Sequence, residues 1–169
     1  LVWIVAVLLA ILLPSFALAQ DFSVFPAEVN IDNLSPGEEA EFELTIHNKD
    51  EVAYVFTIST FHPQEEERRK GRVEFPDDSW ISFSPREIEV PASSDAKVKV
   101  TVSIASNTKW AGKDWEIWLG VRPKTSSLLV VNCYIRLLVS TGKEAEAGPN
   151  IGLLAGIAVA IIFLGYGVY

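Results

Sequence analysis

The sequence predicts an all-β domain: an antiparallel sandwich of seven to eight strands, held between an apolar leader and an apolar tail. Three observations carry this. The middle of the chain alternates apolar and polar residues with a period of two. Turn-forming residues separate those runs at short, regular intervals. Every charged residue lies between Asp21 and Glu146, which leaves both ends as nearly pure hydrocarbon.

The first element, 1–19, has the character of a secretory signal. Residues 1–13 are apolar, Pro14 breaks the run, and Ala17-Leu18-Ala19 places small residues where a signal peptidase reads them. Cleavage would leave Gln20 as the new N-terminus. The chain carries no Met, and no basic residues precede the apolar run. The expected leader is therefore the downstream part of a longer one.

Strands are expected over 22–31, 39–48, 52–61, 81–83, 86–90, 96–104, 114–122 and 128–140. The clearest are the second and the sixth. Ala40, Phe42, Leu44 and Ile46 alternate with Glu41, Glu43, Thr45 and His47. Val98, Val100, Val102 and Ile104 alternate with Lys97, Lys99, Thr101 and Ser103. Such alternation gives one buried and one wet face. Ser35-Pro36-Gly37, Asn48-Lys49-Asp50, Pro91-Ala92-Ser93-Ser94 and Pro123-Lys124-Thr125-Ser126 supply the turns. The count and spacing fit two packed sheets of the immunoglobulin type, with the domain over 20–140.

A linker is expected over 141–150 and a transmembrane helix over 151–169. The tail holds no charged residue. At about 1.5 Å per residue a helix of this length spans roughly 28 Å, close to the hydrocarbon thickness of a bilayer. Gly152 and Gly156 have GxxxG spacing, and Tyr166 and Tyr169 suit an interfacial belt. A leader followed by a single C-terminal span predicts a membrane-tethered domain outside the cytoplasm.

Composition narrows the function. The net charge of −8 opposes binding to nucleic acid, which requires clustered Lys and Arg. Cys133 is the only cysteine, so no intrachain disulfide can form. Its neighbours at alternate positions (Leu129, Val131, Ile135 and Leu137) make it a small core residue rather than a nucleophile. His47 and His62 stand far apart and read as solvated surface residues. Asp77 and Asp78 precede Trp80 without calcium-loop spacing. Catalytic residues, a metal site and a cofactor are thus not expected. The block Gln64–Arg72 (EEERRKGR within it) is expected as an exposed charged loop, with partner docking as the alternative. Asn33-Leu34-Ser35 is an N-glycosylation sequon followed closely by Pro36.

The segments Leu34-Ser35-Pro36-Gly37-Glu38-Glu39-Ala40, Leu44-Thr45-Ile46-His47-Asn48, Trp80-Ile81-Ser82-Phe83-Ser84-Pro85 and Val90-Pro91-Ala92-Ser93-Ser94 resemble exported immunoglobulin-like domains of the NEW3-like and PapD/major-sperm-protein-like kind. The resemblance covers about 21–140. It implies a prokaryotic surface protein, bacterial or archaeal, that acts as a scaffold, adhesion or assembly module, with no shared catalytic residues to transfer.

A candidate interaction face follows from the alternation. Trp115 belongs to the inward set with Ile117, Leu119 and Val121, so Trp118 points outward with Glu116, Gly120 and Arg122. On the last strand Val130, Asn132, Tyr134, Arg136 and Leu138 share that face. The neighbouring outward positions Ala53, Val55, Thr57 and Ser59 carry no charge. The opposite sheet is expected to present Glu41, Glu43, Glu87, Glu89, Lys97 and Lys99 to water. Trp118, Val130, Tyr134 and Leu138 are therefore the candidate residues for meeting other envelope or surface proteins, or a second copy. The plain alternative is that the apolar ends or a loop cover this face, and two functional alternatives stand beside it. The last strand, expected at or near an edge, could accept a strand from another chain as assembly chaperones do. Trp110 or Trp118 could instead serve as a stacking platform for carbohydrate.

Overall fold

The computed structural model describes residues 21–125 and 130–142. The expected leader (1–19), most of the expected linker (143–150) and the expected span (151–169) lie outside the described residues. Among the described residues no helix is long and apolar enough to cross a membrane.

Ten strands form two sheets. They are β1 (Phe22–Phe25), β2 (Glu28–Leu34), β3 (Glu39–Asn48), β4 (Tyr54–Phe61), β5 (Val73–Glu74), β6 (Ile81–Ser84), β7 (Glu87–Val90), β8 (Ser94–Ser103), β9 (Asp114–Pro123) and β10 (Cys133–Thr141). The smaller sheet runs β1-β3-β8-β6. The larger runs β2-β10-β9-β4-β7, and β5 pairs with β9 beyond the end of β4. Short 3-10 turns occupy Glu65–Glu67, Asp78–Trp80 and Thr108–Trp110. The layered all-β architecture agrees with the sequence expectation, with more strands than the seven to eight expected.

Two strands are additional to the eight: β5, and one that arises from a division of the first run. The expected strand 22–31 is divided at Pro26, which cannot donate to a ladder. β1 pairs antiparallel with β3, and the chain then crosses to pair β2 parallel with β10. A similar crossing takes β6, in the smaller sheet, to β7, in the larger. The Phe25-Pro26 and Ser84-Pro85 peptides at the two crossings are cis. This places Glu87 and Glu89 at the margin of the larger sheet, beside β4, and not on the smaller sheet as expected.

The core lies between the sheets. Leu44, Ile46, Val98, Val100 and Val102 meet Phe56, Ile58, Ile117, Leu119, Val121, Ile135 and Leu137, all fully or almost fully buried. Burying each side chain of this size contributes about 1.5–3 kcal/mol. Phe75, Trp80, Trp110 and Trp115 close one end as an edge-to-face cluster with centroids 5.1–6.0 Å apart. Trp115 is core, as the alternation indicated, and Trp80 caps the end. Turn chemistry is specific at Gly37, whose φ of 90° suits glycine. A Cβ there would stand 3.2 Å from Ser106 Cβ. Asn48 is fully buried at the end of β3. Its side-chain amide donates to the carbonyls of Val52 (2.8 Å), Val90 (3.1 Å) and Pro91 (3.0 Å), and its oxygen accepts from the Asp50 amide (3.1 Å).

Candidate functional site: the outer face of the larger sheet

The two outer faces differ in chemistry. On the smaller sheet the wet residues of β3 and β8 pair across the ladder. Lys97 bonds Glu43 at 2.8 Å and Lys99 bonds Glu41 at 2.7 Å, while Thr101 and Ser103 donate to Glu41 and Glu39. His47 and Asp95 add a further pair. The hydrogen bond and charge of Glu41 raise Lys99, and those of Glu43 raise Lys97. The bond from Lys99 lowers Glu41. This face is internally satisfied.

The larger sheet is aromatic at its centre. β4, β9 and β10 are adjacent, and their register brings outward residues into rows. Phe61 lies opposite Trp118, which lies opposite Arg136. Ser59 lies opposite Gly120, which lies opposite Tyr134. Phe61, Trp118 and Tyr134 therefore meet, with ring centroids 5.0–6.0 Å apart. Tyr134 is 45% and Phe61 40% exposed, and Trp118 is half-buried between them. Gly120 makes this packing possible: a Cβ there would sit 3.4 Å from the Tyr134 ring and 3.5 Å from Ser59 Oγ. The Tyr134 ring thus lies over the glycine with one face outward.

Beside the rings an open cleft of about 470 Å³ is lined by Thr57, Ser59, Arg122, Pro123, Lys124 and Thr125. Lys124 pairs with Glu87 at 2.7 Å. Arg122 is exposed and has no ion pair among the described residues.

On the other side of the rings sits a buried carboxylate. Glu116 is 0% exposed although it belongs to the outward set of β9. Its Oε2 accepts the Arg69 backbone amide at 2.7 Å, and its Oε1 accepts the Trp118 indole N–H at 2.8 Å. Arg136 Nε forms an ion pair with Oε1 at 2.7 Å, although its N–H is not aligned as a hydrogen bond. Burial pushes the carboxyl up. The Arg69 amide, the Trp118 indole and Arg136 together outweigh burial and hold it below the ordinary carboxylate range. The Arg136 guanidinium in turn lies 5.4 Å from the Trp118 ring centroid.

Gln64–Arg72 is largely exposed, as expected of a charged loop, and it is also tied down on this face as a strap. Arg69 bonds Glu116 on β9 through its backbone and Glu28 on β2 through its guanidinium at 2.6 Å. Because β10 lies between those strands, the Arg69 side chain reaches across β10 while the strap backbone is held at β9. Arg72 adds a bond to the Trp115 carbonyl at 3.2 Å. Leu138 is opposite Glu116 and Asn30. It is only 4% exposed, a correction to its expected place on an open face. Val130 is half-buried just before β10. Val131, expected inward, is 41% exposed, because β10 begins only at Cys133.

The other candidate residues are placed as follows. Asn33 is exposed at the end of β2, with φ 58°. Cys133 is half-buried, and burial raises its thiol, consistent with a packing residue. Trp110 belongs to the end cluster, with Lys109 stacked 4.3 Å from its centroid. His62, expected as a solvated residue, bridges Glu74 (2.9 Å) and Asp78 (2.7 Å), and Thr60 donates to Asp78 at 2.6 Å. No grouping of three or more metal-ligating side chains suited to a metal ion occurs among the described residues. Sequence reasoning missed Phe61, although it continues the parity of Thr57 and Ser59. The strap partly realises the alternative that a loop covers this face, and the sequence held no local signal for which loop would do so.

No protein-family model and no curated protein matches the chain. Solved structures do. A PapD-like domain of human CEP192 superposes with a TM-score of 0.56 at 14% identity, over 74% of this chain and 87% of that one. The fold is a PapD-like immunoglobulin sandwich. The Escherichia coli chaperone DraB matches this PapD-like chain with a TM-score of 0.51 at 13% identity, over 73% of it and 56% of the chaperone. A candidate carbohydrate-binding protein from Bacteroides ovatus matches with a TM-score of 0.59 at 13% identity, over 72% of this chain and 37% of that one. The PapD-like domain therefore spans little more than half of the chaperone and well under half of the Bacteroides protein. Identities this low establish the fold and not the ligand.

Proposed function

We propose that this PapD-like domain is a non-enzymatic recognition module, tethered to a membrane and facing away from the cytoplasm, that engages a protein partner of the envelope or surface. Its recognition surface is the outer face of the larger sheet, centred on Phe61, Trp118 and Tyr134. The carrying observation is the contrast between the two faces: one is laced with ion pairs, the other holds three adjoining aromatic rings with two substantially exposed. Aromatic anchors of this kind dominate protein interfaces. Tyr134→Glu, at the most exposed of the three rings, is expected to abolish crosslinking of the full chain to its envelope neighbours while leaving thermal unfolding close to wild type. Unchanged crosslinking overturns the proposal. Proteolysis of intact cells or spheroplasts tests the topology: the domain should be cut from outside.

Carbohydrate is the second reading, favoured by one specific observation. Tyr134 and the Ser59 hydroxyl meet over Gly120, and Ser59 also lines the open cleft with Thr57 and Arg122, which has no ion pair among the described residues. Retention on polysaccharide, lost in Tyr134→Ala, would favour it over protein. Strand acceptance has less room than expected of the last strand. β2 already occupies the outer edge of β10 from Arg136 onward. A donor strand would use the stretch Cys133–Ile135 or displace β2.

A further inference from the structure

Glu116 connects two features with no sequence proximity. One of its oxygens holds the strap backbone at Arg69, and the other holds the Trp118 indole. A wholly buried carboxylate is costly unless donors surround it. Here the donors come from three separate stretches of chain: the strap, β9 and β10. Removing any one leaves the charge less compensated and weakens the hold on the others.

We propose that Glu116 is a latch that positions the recognition face, coupling the 64–72 strap to Trp118 so that the two change state together. This rests on the reading of the aromatic face as the recognition surface. With the latch closed, the indole N–H is committed to Oε1 and the ring is fixed beside Phe61 and Tyr134, with Arg136 over it. With the latch open, the strap backbone leaves β9 and Trp118 is free to reorient. The switch removes a fixed anchor from the recognition face.

Protonation of Glu116 opens the latch, because a protonated carboxyl can no longer accept at every position and no longer balances Arg136. The charged groups around it are few. Arg136 faces it from β10. Arg69 belongs to the strap and directs its guanidinium to Glu28 of β2, which also lies 3.8 Å from Arg136. Arg72 turns to the Trp115 carbonyl, and Arg68 has a buried Nε with no partner. From β5, Glu74 is opposite Glu116 in register but pairs with His62.

The strap carries Arg68, Arg69, Lys70 and Arg72, so trypsin reports its release directly. The full chain, labelled with 5-fluorotryptophan, reports the Trp118 environment once its resonance is assigned with Trp118→Phe. In Glu116→Gln, an amide nitrogen must face either the Arg69 N–H or the indole N–H, a donor against a donor. Cleavage within the strap should rise about tenfold or more, as expected for local opening without global unfolding, and the Trp118 resonance should shift. Glu28→Gln removes only the exposed pairs with Arg69 and Arg136, keeps every trypsin site of the strap, and should change neither readout appreciably. Acidifying the wild-type chain should move both readouts at one common midpoint, and this decides the matter if Glu116→Gln fails to fold. Separate midpoints, or a shifted Trp118 with wild-type cleavage, overturn the latch. The latch assays contain no partner. Failure of the crosslinking test alone would therefore remove the recognition reading and leave the latch standing.

Discussion

Asn48 shows how much one side chain can carry in a sandwich without disulfides. Its amide joins the end of β3 to the carbonyls of Val52, Val90 and Pro91, which belong to the two flanking turns. Asn48→Ala should lower the unfolding free energy by about 2–4 kcal/mol, since several buried polar groups lose partners at once; denaturant titration checks it. The sequence presents Asn48 only as a turn residue, because two of its three acceptors, Val90 and Pro91, are brought in by chain some forty positions away. Glu116 was hidden for the same reason. Its parity assigns it to water, and only the strap puts it out of water's reach. Its folded carboxyl lies below the unfolded value, so its contribution is present above the unfolded value and disappears as pH falls through the folded one. Acid titration of wild type against Glu116→Gln should show the mutant with the weaker acid-side loss. Cys133, half-buried with its thiol raised, should react slowly with a thiol reagent in the native state and rapidly in denaturant.

At the level of strands, alternation was a good guide wherever one face meets core and the other meets water. β3 and β8 pair ten residues to ten, and both lie within two residues of their expected limits. β9 was equally legible from Trp115, Ile117, Leu119 and Val121. The departures occur where something other than alternation decides. Pro26 divides one run between two sheets. β10 starts at Cys133 instead of 128, so Val131 faces solvent. Phe61 completes the aromatic group by following the parity of Ser59, and it lay at the last position of the expected strand. The core strands should be unforgiving. Ile117→Ala or Leu137→Ala, each at a site with no exposure, should cost about 2–5 kcal/mol. The ladder on the other sheet should be tolerant: Lys99→Ala should leave the unfolding midpoint near wild type, with any difference reduced by salt.

For the whole molecule, the sequence conveyed the architecture and the chemical asymmetry of its faces, because both follow from period-two patterning and turn placement. It did not convey how chain crosses from layer to layer or folds back over an outer face, since those are long-range events. Those crossings have a consequence for how the protein tolerates crowding. Every lateral strand is short: β1, β6 and β7 have four residues each and β2 has seven, and β2 and β7 carry Glu28, Asp32, Glu87 and Glu89. Such margins are poor templates for another copy to extend. Many copies concentrated in one place can therefore jostle without zipping into fibrils, and any assembly they build must be made through side chains.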